Sequence, residues 1–162
     1  MRWLVDGYNV IRRDPELAQH EAQGLEDGRA ALLRVIAGAA RAAGDPFTVV
    51  FDGARRAGGA AVGGQVQVVF SRPPETADDV LRRLAAQLRS GAVVVSSDRA
   101  VRDAAERAGA AAVTAEQFLA ALDAPEDDDA EDDEPPARGG NPRRPSRSER
   151  AARRVLGRLR PR

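Results

Sequence analysis

Four short stretches of this 162-residue chain place acidic side chains just beyond runs of aliphatic and aromatic residues: VDGYNVI (5–11), VVFDG (49–53), ETADD (75–79) and VVVSSD (93–98). Asp6, Asp52 and Asp98 each stand where a buried strand would end. Asp78 and Asp79 fall in the first turn of a helix opened by Thr76, and Asn9 stands three residues after Asp6. In open parallel sheets the carboxyl ends of the strands form the edge where ligands bind. Carboxylates gathered there repel one another by about 3 kcal/mol per pair at ~5 Å and an effective dielectric near 20, so the grouping predicts a bound cation. Carboxylate and amide oxygens are hard donors that suit Mg²⁺ or Mn²⁺ rather than zinc or copper. Cysteine is absent, and the one histidine, His20, lies in a polar stretch away from any strand end, where it reads as a surface residue.

Each of these residues also has a plain structural use. Asp98, between a strand and a helix, is placed either to cap the helix or to face a ligand. Asp52 before Gly53 serves equally as a turn former. Thr76 and Asp79 have the Thr-x-x-Asp spacing of a capping arrangement, which assigns Asp79 to the cap and leaves Asp78 to face the crevice. Asp6 is the most specific, because a carboxylate, a Gly turn, Tyr8 and Asn9 follow the first strand together. Caps placed independently would not gather on one edge, and the joint pattern is what points to a site. Trp3 reads as core; Tyr8 either stacks on a base or packs beneath its loop.

The elements that must position these groups alternate along the chain. Strands are predicted over 2–5, 47–51, 66–70, 93–95 and 110–113, and helices over 25–43, from Thr76 through Leu88, over 98–108 and over 115–122. That order predicts a parallel sheet with helices on both faces. The connection between the second and third strands is glycine-rich and barely long enough for a parallel crossover, so an antiparallel third strand stays open.

Formal net charge is zero, but the charge is segregated. Residues 1–122 balance fifteen arginines against fifteen acids, 123–134 hold nine acids and no base, and 137–162 hold ten arginines against Glu149 alone. The acidic tract cannot bury enough apolar surface to offset chain ordering, so a disordered linker is expected over 123–145, after a domain spanning 1–122. Ser146 and Glu149 make a capping box that opens a short Arg-rich helix or tail over 146–162, able to order on a phosphate backbone or on the domain. No apolar run reaches the ~20 residues that span a bilayer, and the N-terminus has no signal-peptide pattern. The expectation is a cytoplasmic protein without a membrane partner.

In this order and near these spacings, VDGYNVI, VVFDG, ETADD and SSD resemble the YacP-like NYN domains of the PIN-like nuclease class, over roughly 1–122. The resemblance implies a three-layer α/β/α domain with a central, mostly parallel sheet in the order 3-2-1-4-5. It also implies Mg²⁺- or Mn²⁺-dependent endonucleolytic cleavage of RNA leaving a 5′-phosphate and a 3′-hydroxyl, with the ribosome as a partner in one branch acting on mRNA. Carried onto this sequence, Asp6, Asp78 and Asp98 are the catalytic, metal-holding carboxylates. Asp52 is a further ligand or substrate contact, and Asn9, Asp79 and Ser97 are supporting residues. Arg55 and Arg56 in the glycine-rich loop, Arg72 after the third strand, and Arg143, Arg144 and Arg147 in the tail are RNA contacts or solvated surface charge. Two other classes stay open. A phosphatase-like domain using Asp6 as nucleophile would need a lysine partner, and the chain has no lysine. A non-catalytic protein binding RNA through its Arg-rich tail would leave the acidic edge without work.

Overall fold

The computed structural model describes residues 1–53, 64–123 and 145–159. Five strands, β1 (Arg2–Asp6), β2 (Phe47–Phe51), β3 (Val66–Phe70), β4 (Ala92–Val95) and β5 (Ala111–Val113), form one sheet in the order β3-β2-β1-β4-β5. Every pairing is parallel, including β2 with β3, whose register runs from Phe47 opposite Val66 to Phe51 opposite Phe70. Most of the connection between them, 54–63, lies outside the described residues, so the glycine-rich loop carrying Arg55 and Arg56 does too.

Side-chain alternation along the strands divides the core in two. Trp3, Val5, Phe47, Val49, Phe51, Val93 and Val95 point to one face, and Leu4, Val50, Ala92 and Val94 to the other. The first face is covered by α1 (Gly7–Arg13), α2 (Pro15–Gln23), α3 (Leu25–Ala43) and α6 (Ala115–Asp123), and Trp3 stacks on Phe47 there at 5.6 Å. The second face is covered by α4 (Ala77–Leu88) and α5 (Arg99–Arg107). This is the three-layer sandwich expected from the alternation of strand and helix signals.

Helices α1 and α2 were not anticipated. The Gly turn expected after Asp6 is instead the first residue of a helix. A Cβ on Gly7 would collide with the Phe51 ring, so glycine here allows close helix-to-strand packing rather than a turn. Asp14 then caps α2 through bonds from the Glu16 and Leu17 N–H groups, with Pro15 at its first position.

The segment from Ser146 onward, set apart in sequence from a domain ending at Leu122, packs on that domain. Ser146 and Glu149 close the expected capping box of α7 (Arg147–Leu156). Ala152, Val155 and Leu159 enter the first-face core. Arg158 grips the buried carboxylate of Asp45 with two hydrogen bonds of 2.8 and 2.9 Å, and Asp45 also accepts from the N-terminal ammonium and from Trp3 Nε1. An apolar stripe on a helix too short to be stable alone orders where it can be buried, and here the β5 side of the sheet provides the place. Residues 124–144, with the acidic tract and Arg143 and Arg144, lie outside the described residues.

Candidate active site

Helices α1, α4 and α5 all begin at the carboxyl edge of the sheet, so their positive N-terminal ends converge there. Asp6, Asn9, Asp52, Asp78 and Asp98 line one cavity of about 840 Å³ at this edge. Asp52 and Asp98 serve local structure and the cavity at once, because each spends only one of its two carboxylate oxygens on a local bond. Asp98 Oδ1 accepts from the N–H groups of Ala100 (2.7 Å) and Val101 (3.2 Å), capping α5. Asp52 Oδ1 accepts from Ser71 Oγ (2.6 Å) and from the N–H of Ala77 (3.3 Å), joining the ends of β2 and β3 to the start of α4. Asp6, only 9% exposed, accepts from the Asn9 N–H at the start of α1 and from Ser96 Oγ (3.0 Å). Asp78 accepts no hydrogen bond from any described residue, so both of its oxygens remain for the cavity. Asp79 closes the capping box with Thr76 and lies outside the cavity lining.

The electrostatics match this crowding. The Asp6 carboxyl is pushed up to about 6, first by burial, against the Ser96 and Asn9 hydrogen bonds and with the negative charges of Asp78 and Asp98 adding to the rise. Asp78 is also raised, by burial and then by Asp98. Asp79 is lowered, because its bonds to Thr76 favour the charged form. The donors facing the cavity are carboxylate oxygens and suit a hard divalent cation. Among the described residues no three acidic or histidine side chains already stand as a metal-holding group. The carboxylates share one cavity without standing as a formed metal-holding group.

Asn9 lines the same cavity. Its Oδ1 accepts from the Ser97 N–H at 2.7 Å, and a backbone N–H can only donate, so the amide NH₂ is what remains for the cavity. Ser97 supports the same loop: its hydroxyl donates to Glu116 and accepts from the Ala115 N–H. Glu116, paired with Arg13 at 3.1 Å, is held below the usual carboxylate range chiefly by the Ser97 bond.

Several residues escaped the sequence reading. Ser96, fully buried, donates to Asp6 and accepts from the Asp98 N–H, so one hydroxyl ties the ends of β1 and β4 together. Its signal was present as the first serine of SSD. Arg12, Arg13 and Leu25 line the cavity as well. The two arginines stand one helical turn after Asn9, a relation that shows only once 7–13 is read as a helix. Arg72 and Arg147 are exposed and are not part of the lining. His20 is exposed on α2, as expected.

Comparison with known proteins places this geometry. Over 89 residues the chain is 34% identical to a protein described as "Uncharacterized protein YacP" from Bacillus subtilis strain 168, and this match spans 54% of the chain and about half, 52%, of that relative. Two crystal structures titled Rae1 (YacP) from Bacillus subtilis, one of them a mutant, superpose with TM-scores of 0.64 and 0.63 at 31% and 30% identity. They cover 75% of this chain and 73–74% of theirs. A model of the YacP-like NYN domain matches residues 3–160, a span that includes both the carboxylate edge and α7. The chain therefore belongs to the YacP-like NYN domain family.

Proposed function

We propose that this domain is a Mg²⁺- or Mn²⁺-dependent endoribonuclease that hydrolyses RNA phosphodiester bonds. The observation that supports it most is the convergence of Asp6, Asp52, Asp78 and Asp98 on one cavity, with Asp6 and Asp78 raised by burial and by their acidic neighbours. Asp6, Asp78 and Asp98 would hold the ion, and Asp52 would add its second oxygen. When bound, the ion supplies Lewis-acid polarisation of the phosphodiester and a water nucleophile active at neutral pH. The chain's own residues do the positioning. Ser96 fixes the Asp6 carboxylate against the Asp98 loop, Ser97 and Glu116 hold that loop, and Asp79 secures the helix that carries Asp78. The Asn9 amide NH₂ would serve as a donor for the substrate's phosphate oxygens. Exposed tail arginines such as Arg147 would add affinity for the RNA backbone at a distance from the chemistry.

End-labelled RNA incubated with the full chain tests this reading. The expected products carry a 5′-phosphate and a 3′-hydroxyl, form only with Mg²⁺ or Mn²⁺, and vanish in EDTA. Cleavage that persists in EDTA and leaves a 2′,3′-cyclic phosphate would overturn it, because the 2′-hydroxyl would then be the nucleophile.

A further inference from the structure

The carboxylates occupy only part of the cavity. At about 840 Å³ it has the size of sites that enclose whole organic ligands. The same cavity is also lined by α1 and the start of α3, which bring Tyr8, Arg12, Arg13 and Leu25 to it. Tyr8 is fixed there: its hydroxyl accepts from Arg29 at 2.9 Å, and its ring meets Phe51 edge-on at 5.1 Å. Arg12 lies over the Tyr8 ring at 5.7 Å, is 67% exposed, and is tied to Glu21 only at 3.9 Å. Leu25 is 53% exposed and is the one exposed large apolar side chain among the described residues that lines this cavity. A fixed aromatic ring, a loosely held guanidinium and an exposed leucine facing a polar cavity make a surface for something flat and apolar-faced that is attached to an anion.

We propose that Tyr8, Arg12 and Leu25 form a nucleobase subsite that takes one unpaired base adjacent to the phosphate at the carboxylates, so that the protein selects single-stranded or locally opened RNA. This rests on the reading of the domain as one that acts on RNA. The base stacks against Tyr8 and Leu25 while Arg12 moves onto the neighbouring phosphate. A base inside a duplex is stacked on both faces and cannot reach this subsite until it is extruded. Stacking is tolerant of base identity because every base has a π-face, so the subsite selects for an unpaired base more than for its sequence.

The test uses the full chain carrying Asp6→Asn, so that the strand is not consumed, and reads binding by fluorescence anisotropy in Mg²⁺. The probes are a short single-stranded RNA and the same strand with abasic residues at its centre. The intact strand should bind roughly tenfold more tightly, the scale of one stacked base. Leu25→Ala, at an exposed position where the fold loses little, should bring that ratio to within about twofold of one. Arg12→Ala should instead flatten the log-log salt dependence by roughly 0.7, one single-strand phosphate contact. The proposal is overturned if intact and abasic strands bind alike, or if Leu25→Ala weakens both equally. Discrimination between the strands by a chain whose wild type cuts neither in Mn²⁺ would sink the hydrolytic reading and leave the subsite standing.

Discussion

At the scale of single residues, one carboxylate can hold local structure and line the cavity at once. Asp52 and Asp98 each spend one oxygen on local structure and keep the other, while Asp79 is committed to its cap. Asp78→Ala and Asp79→Ala should therefore behave oppositely. The first should cost activity with little loss of stability; the second should lower thermal stability and keep most of the turnover. Equal inactivation by both would show the neighbours to be misassigned. Asp6 carries a pH signature. Its folded pKa of about 6 lies above the ordinary aspartate value of 3.8, so its contribution to stability is fully present below 3.8 and is lost as pH rises through about 6. Without metal, the wild type should gain stability relative to Asp6→Asn as pH falls from 7.5 to 5. At pH 7.5 Asp6→Asn should be the more stable by about 1–2 kcal/mol. That is less than the ~3 kcal/mol of the full shift, because one amide oxygen replaces two acceptors. Thermal unfolding in EDTA at the two pH values measures both effects.

At the scale of elements, what was legible followed from local signals. Strands ending in Asp6, Phe51 and Val95, and the Thr76 and Ser146 capping boxes, are set by short apolar runs and by spacings of three, and these stand in the chain itself. Helix α1 was hidden because Gly7 reads as a breaker, and its reason for being there, the Phe51 ring against its Cα, is a contact across 44 positions. The parallel direction of β3 was likewise undecidable from a connection without a helical pattern. The docking of α7 depends on Asp45, whose role emerges only when Arg158 reaches it. Leu159→Ala should cost roughly 2–3 kcal/mol in urea unfolding, the scale of a buried leucine truncated in a core. Arg158→Ala should destabilise with a defined pH dependence. The Asp45 carboxyl is lowered to about 2, first by Arg158, so its stabilisation is present above the ordinary aspartate value of 3.8 and fades as pH falls through about 2. The gap between wild type and Arg158→Ala should narrow below pH ~3. A gap that widens in acid would contradict the pairing.

At the scale of the whole molecule, a net charge of zero conceals an acidic tract at 123–134 joined to an arginine-rich end. Removing 123–134 leaves a chain with nine excess positive charges, and it should bind RNA more tightly at low salt, with the gain shrinking as salt rises. Weaker binding by this deletion, read by anisotropy, would mean that the tract supports the RNA contact. The packing of α7 on the core also means that truncation after Leu122 should destabilise the domain itself, and unchanged urea unfolding would contradict that. The central claim is that the carboxylates at the sheet edge perform metal-dependent hydrolysis of RNA. It is tested most directly by the turnover of Asp6→Asn against wild type on labelled single-stranded RNA in Mn²⁺, with the fold of both verified by thermal unfolding. The expected result is a variant at least as stable as wild type without metal and slower by 100-fold or more, on the order of what one essential transition-state interaction contributes. Near-wild-type turnover by a folded Asp6→Asn would contradict the account.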